Sequence, residues 1–393
     1  MTFVFKGENP SQTYMNYTLA IHKHGDILAP RGKEIKELRP AVIEHKNPYD
    51  RVTFLRGRKT NPFFFLSEAF WILLGRSDVA WLDLYNSNMK NFSDDGIYFN
   101  AAYGERMRAW GLNRASGEVF NPIDQLHDAF LKLQADEDTR QAFVTIGDPR
   151  YDNSEYTLSG GKDIACNREI HFKIRKGKLD ATVFTRSTDG DFGHPTNYVQ
   201  FSTIQEYMAS MLGIKVGTFR HISDSLHAYL KDYGYEVADK FLAEYGIDKH
   251  KLSSESEEET PTVEHFEFEN EPRMEVLGFE EGESLLRQLE YLVESLIHVN
   301  DNIVNTEIAY NTMNIIKGSP DPYFRMTLYA MMAYRAHKLG NAEVMVEALR
   351  LMADGQWKLS CLFFLYNKYK GIEEFEDLYS HYTDAQKAYI EGK

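Results

Sequence analysis

Ile170, Phe172 and Ile174 alternate with His171, Lys173 and Arg175, the period of two that marks a strand with one buried face. Lys176-Gly177 supplies a turn and a second β-prone run, 179–185, returns, so this stretch predicts an antiparallel hairpin. VGTFRHIS, 216–223, predicts a further strand, and the alternation in HFEFEN, 265–270, a last one for the same sheet. Elsewhere the period is helical. A short helix is expected over 13–22. A second has Asn61 as N-cap, Pro62 at its first position and Gly75 at its end, and its body, FFFLSEAFWILL, is apolar almost all round and therefore buried. A third should run over 78–92, a fourth should open at Asn121-Pro122 and end near Gln134, and a long one should start at Pro195-Thr196 and reach Gly213. From Gly278 onward only helices are predicted, with Leu285, Leu289, Leu292, Leu296 and Val299 at helical spacing and Asp321-Pro322 and Gly340 as start and stop signals. The pattern divides the chain into a mixed part, 1–275, and a helical part, 276–393.

Composition narrows the function classes. Hydrophobic residues make up 43% of 393 positions, enough for a sizeable core. A formal net charge of −15 argues against a nucleic-acid binder, which needs a basic face, but leaves room for a small anionic substrate held by local cations. Two cysteines, Cys166 and Cys361, give no disulfide framework and suit a reducing cytoplasm. No apolar run has the length of a membrane span and the N-terminal residues do not read as a signal peptide, so a soluble cytoplasmic protein is expected. The acidic run 253–260 reads as a solvated loop, and no Cys, His or carboxylate cluster has metal-ligand spacing.

Chemistry gathers at the open end of the hairpin. Counted outward from the turn, Cys166 lies about as far back as Arg186 lies forward, so pairing brings thiol and guanidinium together. A thiolate is the reactive form of cysteine, and a neighbouring guanidinium lowers its pKa. Arg186 and Ser187 also suit a phosphate. Glu68, alone in an apolar helix, is a carboxylate whose burial is costly and raises its pKa unless it is ion-paired.

The order Ala-Cys-Asn at 165–167, hairpin, Arg-Ser-Thr-Asp at 186–189, Gly-x-Pro-x-Asn at 193–197 and Asp-x-x-His-x-Tyr at 224–229 resembles the thymidylate synthase superfamily, which includes phage-type deoxypyrimidine nucleotide hydroxymethylases. The resemblance covers about the first two thirds of the chain. It implies an α+β fold, a mixed β-sheet core with flanking helices, here followed by an all-helical C-terminal extension, and an obligate homodimer. It implies Cys166 as nucleophile toward C6 of the pyrimidine, Glu68 organising water and protons around O4, and Tyr103 helping to remove the C5 proton. Arg31, Arg140 (from the partner subunit), Arg186 and Ser187 would bind the phosphate, and His227 and Tyr229, in the motif opened by Asp224, the sugar 3′-hydroxyl. Asp189 would bind the pterin of 5,10-methylenetetrahydrofolate, the implied co-substrate. Asn197 would read the base; its carboxamide pairs with O4 and N3–H of uracil together, which points to dUMP.

Three departures from the synthase pattern stand out. Lys90, with Asn91, occupies the place of a tryptophan that packs over the folate; Gln141 follows Arg140 where the family has a second arginine; and DAQKAYIEGK does not resemble the short apolar closing tail. Arg150 or Arg168 could be recruited to the phosphate instead. Open access for water favours a hydroxymethyl product, with methylation to dTMP, a cytosine substrate or a non-catalytic nucleotide-binding scaffold as the alternatives.

Overall fold

A computed structural model describes residues 2–231, 235–255 and 260–393. Its centre is a six-stranded mixed sheet in the order Phe3–Lys6, Ala41–His45, Lys215–Ser223, Lys178–Thr185, Asn167–Arg175, Phe143–Thr145. The predicted hairpin, Asn167–Arg175 with Lys178–Thr185, is antiparallel, and Lys215–Ser223 joins it in parallel. A second sheet of four short strands, Thr188–Asp189, Leu226–Tyr229, Ile35–Leu38 and Asp26–Leu28, lies at the hairpin's open end. It carries Asp189, His227 and Tyr229 to the same side as Cys166. The fold is α+β, with a helical C-terminal part.

Pro62–Leu73 forms as its sequence dictates. Asn61 Oδ1 accepts the Phe64 N–H at 3.1 Å, Pro62 occupies the first turn, and Gly75 follows in the left-handed region. The helix Gly193–Met211, which carries Asn197, packs between this helix and the sheet. Several boundaries differ from expectation. The first helix is Pro10–His24, longer than 13–22 because Asn9 caps it through the Gln12 N–H at 2.9 Å. The helix expected over 78–92 is only Val79–Asp83, followed by a 3-10 turn at Met89–Phe92; the intervening Asn86, Ser87 and Asn88 are turn formers. Asn121-Pro122 opens no helix. It lies in the strand Glu118–Ile123, and Asp124 caps the helix Gln125–Ala135 through the His127 N–H at 3.0 Å.

HFEFEN adds no strand. Phe266 packs on Phe54 and Tyr389, with ring centroids 5.1 and 5.6 Å away, so its alternation docks the segment on the C-terminal helices. Within the acidic run 253–260, positions 256–259 lie outside the described residues.

The helices from Phe279–Leu292 to Asp384–Glu391 share one hydrophobic core with the sheet and the Glu68 helix. Phe63 packs on Tyr334 and Phe364, and Phe70 on Phe324 in an edge-to-face contact at 4.9 Å. A buried polar network crosses the same boundary. Gln356 Oε1 accepts the N–H groups of Arg51 and Val52 at 2.8 and 2.9 Å, and Arg51 pairs with Glu206 at 2.6 Å. None of the helices among the described residues is long and apolar enough to cross a membrane.

Candidate active site

Cys166 immediately precedes the hairpin, and a β-bulge decides what it faces. Asn167 pairs with Thr185 but Glu169 with Phe184, so Arg168 is an extra residue on its strand. That shift sets Cys166 opposite Arg186; in the unbroken register it would face Ser187. The Arg186 N–H donates to the Cys166 carbonyl at 3.0 Å, and Nη2 lies 3.5 Å from Sγ. The guanidinium is aimed by two further carbonyls, Ala165 at 3.1 Å and Ile164 at 3.0 Å. Burial pushes the thiol pKa up. Arg186 and Arg31 pull it down, while Asp163 and Asp189 push it up, and the net shift is upward. The guanidinium expected to depress this pKa is in place, but burial outweighs it.

Tyr103 opens the helix Tyr103–Arg108 beside this thiol. The segment before it is tied to the nucleophile's loop, since Asp163 Oδ2 accepts the Ala101 N–H at 2.7 Å. Gly104 lets this helix start abut the Glu68 helix; a Cβ there would come within 2.6 Å of the Ile72 carbonyl oxygen. Burial raises the phenol's pKa, the Cys166 thiolate adds to the rise, and the side chain and main chain of Asn167 oppose it. Asn167 is fully buried, yet neither its carboxamide nitrogen nor its oxygen completes a hydrogen bond among the described residues.

Glu68 is 7% exposed, and burial raises its pKa to about 8 against a hydrogen bond from Gln200 that lowers it. A glutamate that changes protonation near neutral pH is suited to proton transfer. Asn197 lies inside the helix Gly193–Met211, one turn before Gln200, and is half-buried. It caps nothing, because Phe192 holds the cap position.

Ser187 Oγ lies 3.5 Å from His227 Nδ1, and Asp189 pairs in register with His227 on the small sheet. His227 and Tyr229 meet edge to face at 5.4 Å. Burial raises the Asp189 pKa and lowers that of His227, and each opposes the other's shift. Asp224 is exposed in the turn between Lys215–Ser223 and Leu226–Tyr229, and its N–H donates to the Thr185 carbonyl at 3.0 Å. Arg31 is exposed in the turn Pro30–Gly32 with a left-handed φ of 54°, and its charge reaches the thiol.

Four residues weighed from the sequence stand apart from this group. Arg140 is exposed between Gln125–Ala135 and the edge strand Phe143–Thr145, without an ion-pair partner among the described residues. Arg150 and Arg168 are both engaged, with Asp148 and Asp152, each at 2.6 Å. Lys90 is exposed and lines a hollow of about 560 Å³ with Arg76, Asp78, Asp83 and Tyr98. Trp81 is buried against His298 at 4.9 Å, with the Arg76 guanidinium 4.7 Å from its ring. The residues missed from sequence are Asn167, Gln200 and Asp163. Asn167 and Gln200 carried a usable signal, being carboxamides beside the cysteine and one turn after Asn197.

The family described as thymidylate synthase matches residues 12–285. A deoxyuridylate hydroxymethyltransferase of Bacillus phage SP01 is 43% identical over 373 residues, 93% of this chain and 94% of that protein. One of the same description from Pseudomonas phage M6 is 35% identical over 48% of this chain and 51% of its own length. A putative thymidylate synthase of Methanosarcina acetivorans is 25% identical over 58% of this chain and 91% of its own length.

Proposed function

The chain belongs to the thymidylate synthase family, and from that premise we propose that it transfers a one-carbon unit to C5 of dUMP and releases 5-hydroxymethyl-dUMP. The observation that carries this reading is the 43% identity to the SP01 hydroxymethyltransferase, which extends over 93% of the chain and so through the helical extension. The likeness to the Methanosarcina protein covers only 58% of the chain. Residues 1–275 form the catalytic part in this reading and 276–393 an extension fused to it.

Cys166 adds as thiolate to C6, and the electrons move through C5 to O4. Asn197 and Glu68 hold the charge that develops at O4 and N3. 5,10-Methylenetetrahydrofolate, whose pterin Asp189 binds, supplies a carbon at the oxidation level of formaldehyde. C5 attacks that carbon; Tyr103 then accepts the C5 proton through water as the carbon–nitrogen bond to the folate breaks, so tetrahydrofolate leaves and an exocyclic methylene remains on the nucleotide. Water then adds at that carbon, the ring electrons return, and the C6–S bond breaks to release Cys166. Arg186, Ser187 and Arg31 bind the phosphate, and His227 and Tyr229 the sugar.

A homodimer supplies Arg140 in trans. Its exposed guanidinium, unpaired among the described residues, supports this, as does the sheet's outer face, where half-exposed Thr182, Phe184 and Ile222 surround the Arg220–Glu44 pair. The test is a mass spectrum of the nucleotide after incubation with dUMP and methylenetetrahydrofolate. A hydroxymethyl gain with tetrahydrofolate released is expected. A methyl gain with dihydrofolate would make the chain a methylating enzyme, and conversion of dCMP alone would refute the assignment of Asn197.

A further inference from the structure

The outer face of the sheet carries a band of cations at the turn end of the hairpin. Phe172 and Ile174 point into the core, so Lys173 and Arg175 project from the opposite face. The ladder sets Arg175 opposite Lys178, and Lys178 opposite Lys215 on the next strand. Like charges therefore stand side by side on neighbouring strands about 4.8 Å apart. Among the described residues none of these four cations has a carboxylate partner. The neighbouring acids are committed elsewhere. Asp180, directly across from Lys173, accepts the Thr218 N–H at 2.8 Å and pairs with Arg220 at 3.4 Å. Glu169 pairs with His171 at 2.9 Å, and Asp138 gives Arg175 its carbonyl, at 3.4 Å, and not its carboxylate. In a chain of net charge −15, such a band calls for an anion from outside the subunit.

Arg140 belongs to the same end of the sheet. Phe143 pairs with His171, and the Phe172 N–H donates to the Ala142 carbonyl at 2.9 Å, so Gln141 stands level with Lys173 and Arg140 adjoins it. We infer that Lys173, beside Arg140, supplies a second cation to the nucleotide phosphate bound in the partner subunit. The inference rests on the homodimer proposed above. Two copies joined through this face by a twofold axis set their turn ends together, or set each turn end against the partner's open end. The first arrangement presses one cationic band on the other, and repulsion disfavours it. The second turns Lys173 and Arg140 toward the end of the partner's hairpin where the phosphate binds. The charge there needs a supplement. A phosphate monoester carries about −1.5 to −2 near neutral pH. Arg186 spends Nε and Nη2 on the Ala165 and Ile164 carbonyls and on Cys166 Sγ. An ammonium on a flexible stem adds charge without demanding a fixed geometry.

The experiment uses the full chain with saturating methylenetetrahydrofolate and measures KM for dUMP and kcat, with assembly followed by sedimentation. Lys173→Met should raise KM roughly 10- to 100-fold, the worth of a hydrogen bond to a charged group, and keep kcat within about threefold. Lys173→Arg should recover most of the affinity. Lys173→Met is then mixed and re-equilibrated with an equal amount of Cys166→Ala. In a mixed dimer the surviving thiol lies in the Lys173→Met subunit and meets Lys173 of the partner subunit, so activity with the wild-type KM should reappear. An unchanged KM in Lys173→Met would overturn the inference alone. So would a raised KM that persists in the mixture while Arg140→Ala regains activity with Cys166→Ala. Recovery in neither mixture would overturn the homodimer proposed above, and the inference with it. Should Lys173→Met fail to assemble, Lys173→Gln, which keeps a polar head without the charge, should show the same rise in KM.

Discussion

Replacing Glu68 by Gln should stabilise the protein at neutral and alkaline pH while destroying its activity. Glu68 holds its proton up to about pH 8 in the folded chain, against an ordinary value near 4.5 that applies once the chain unfolds. Between those limits the unfolded state binds fewer protons than the folded one, so stability falls as pH rises. At about 1.4 kcal/mol per pH unit the loss reaches roughly 5 kcal/mol above pH 8, with about 3 kcal/mol present at pH 7. A glutamine has nearly the shape of the protonated acid and never ionises. The variant should therefore match the wild type near pH 5 and exceed it progressively up to pH 8. Urea midpoints of both proteins at pH 5, 6, 7 and 8, at one protein concentration, measure the difference. Taking that difference cancels every other titrating group. A difference that stays flat with pH, or a variant that weakens as pH rises, would refute the burial argument. Turnover should fall by about 10²- to 10⁴-fold, the usual range for a lost proton-transfer group, with dUMP binding retained.

Other perturbations test the remaining parts of the site. Iodoacetamide should alkylate Cys166 faster as pH rises, and Arg186→Met should slow the reaction at pH 8 severalfold because it removes a charge that lowers the thiol pKa; peptide mass spectrometry follows it, and the fully buried Cys361 should stay unmodified. Arg140→Ala and Cys166→Ala should each be nearly inactive, yet mixing and re-equilibrating equal amounts should restore about one quarter of wild-type activity, because half of the dimers then carry one intact site. No recovery would place Arg140 outside the partner's site. Gln356→Leu should cost about 3 kcal/mol by a urea midpoint, since it strands the buried N–H groups of Arg51 and Val52; a cost under about 1 kcal/mol would refute that role.

What the sequence disclosed depended on the range of the interaction. The hairpin and the Glu68 helix were legible because alternation, Asn61-Pro62 and Gly75 act through neighbouring residues. The bulge at Arg168 was not, since one extra residue in a strand leaves no local mark, although it is what sets Cys166 opposite Arg186. The misplaced helix start at Asn121-Pro122 has the same origin. Its signals are sound locally, but pairing of Glu118–Ile123 with Trp110–Asn113 overrides them. The thiol's upward shift was hidden too, because it depends on how much of the fold closes over Cys166.

The helical extension acquires a chemical meaning from the same consideration. A helix apolar on every side needs cover on every side. The Asn197 helix packs on one side of it. Phe63 and Phe70 point elsewhere, into Tyr334, Phe364 and Phe324 of the C-terminal helices. Were those helices loosened, water would reach the Glu68 helix from behind, and the desolvation that raises the carboxyl to about 8 would weaken. Gln356 and the Arg51–Glu206 pair fasten the same boundary from below, through the Asn197 helix itself. Among the described residues the extension brings no group beside Cys166, yet it covers the back of the helix on which Glu68 is buried. A change in the bundle should therefore register first as a downward shift of the Glu68 pKa, and so in the pH dependence of turnover, before it registers in nucleotide binding.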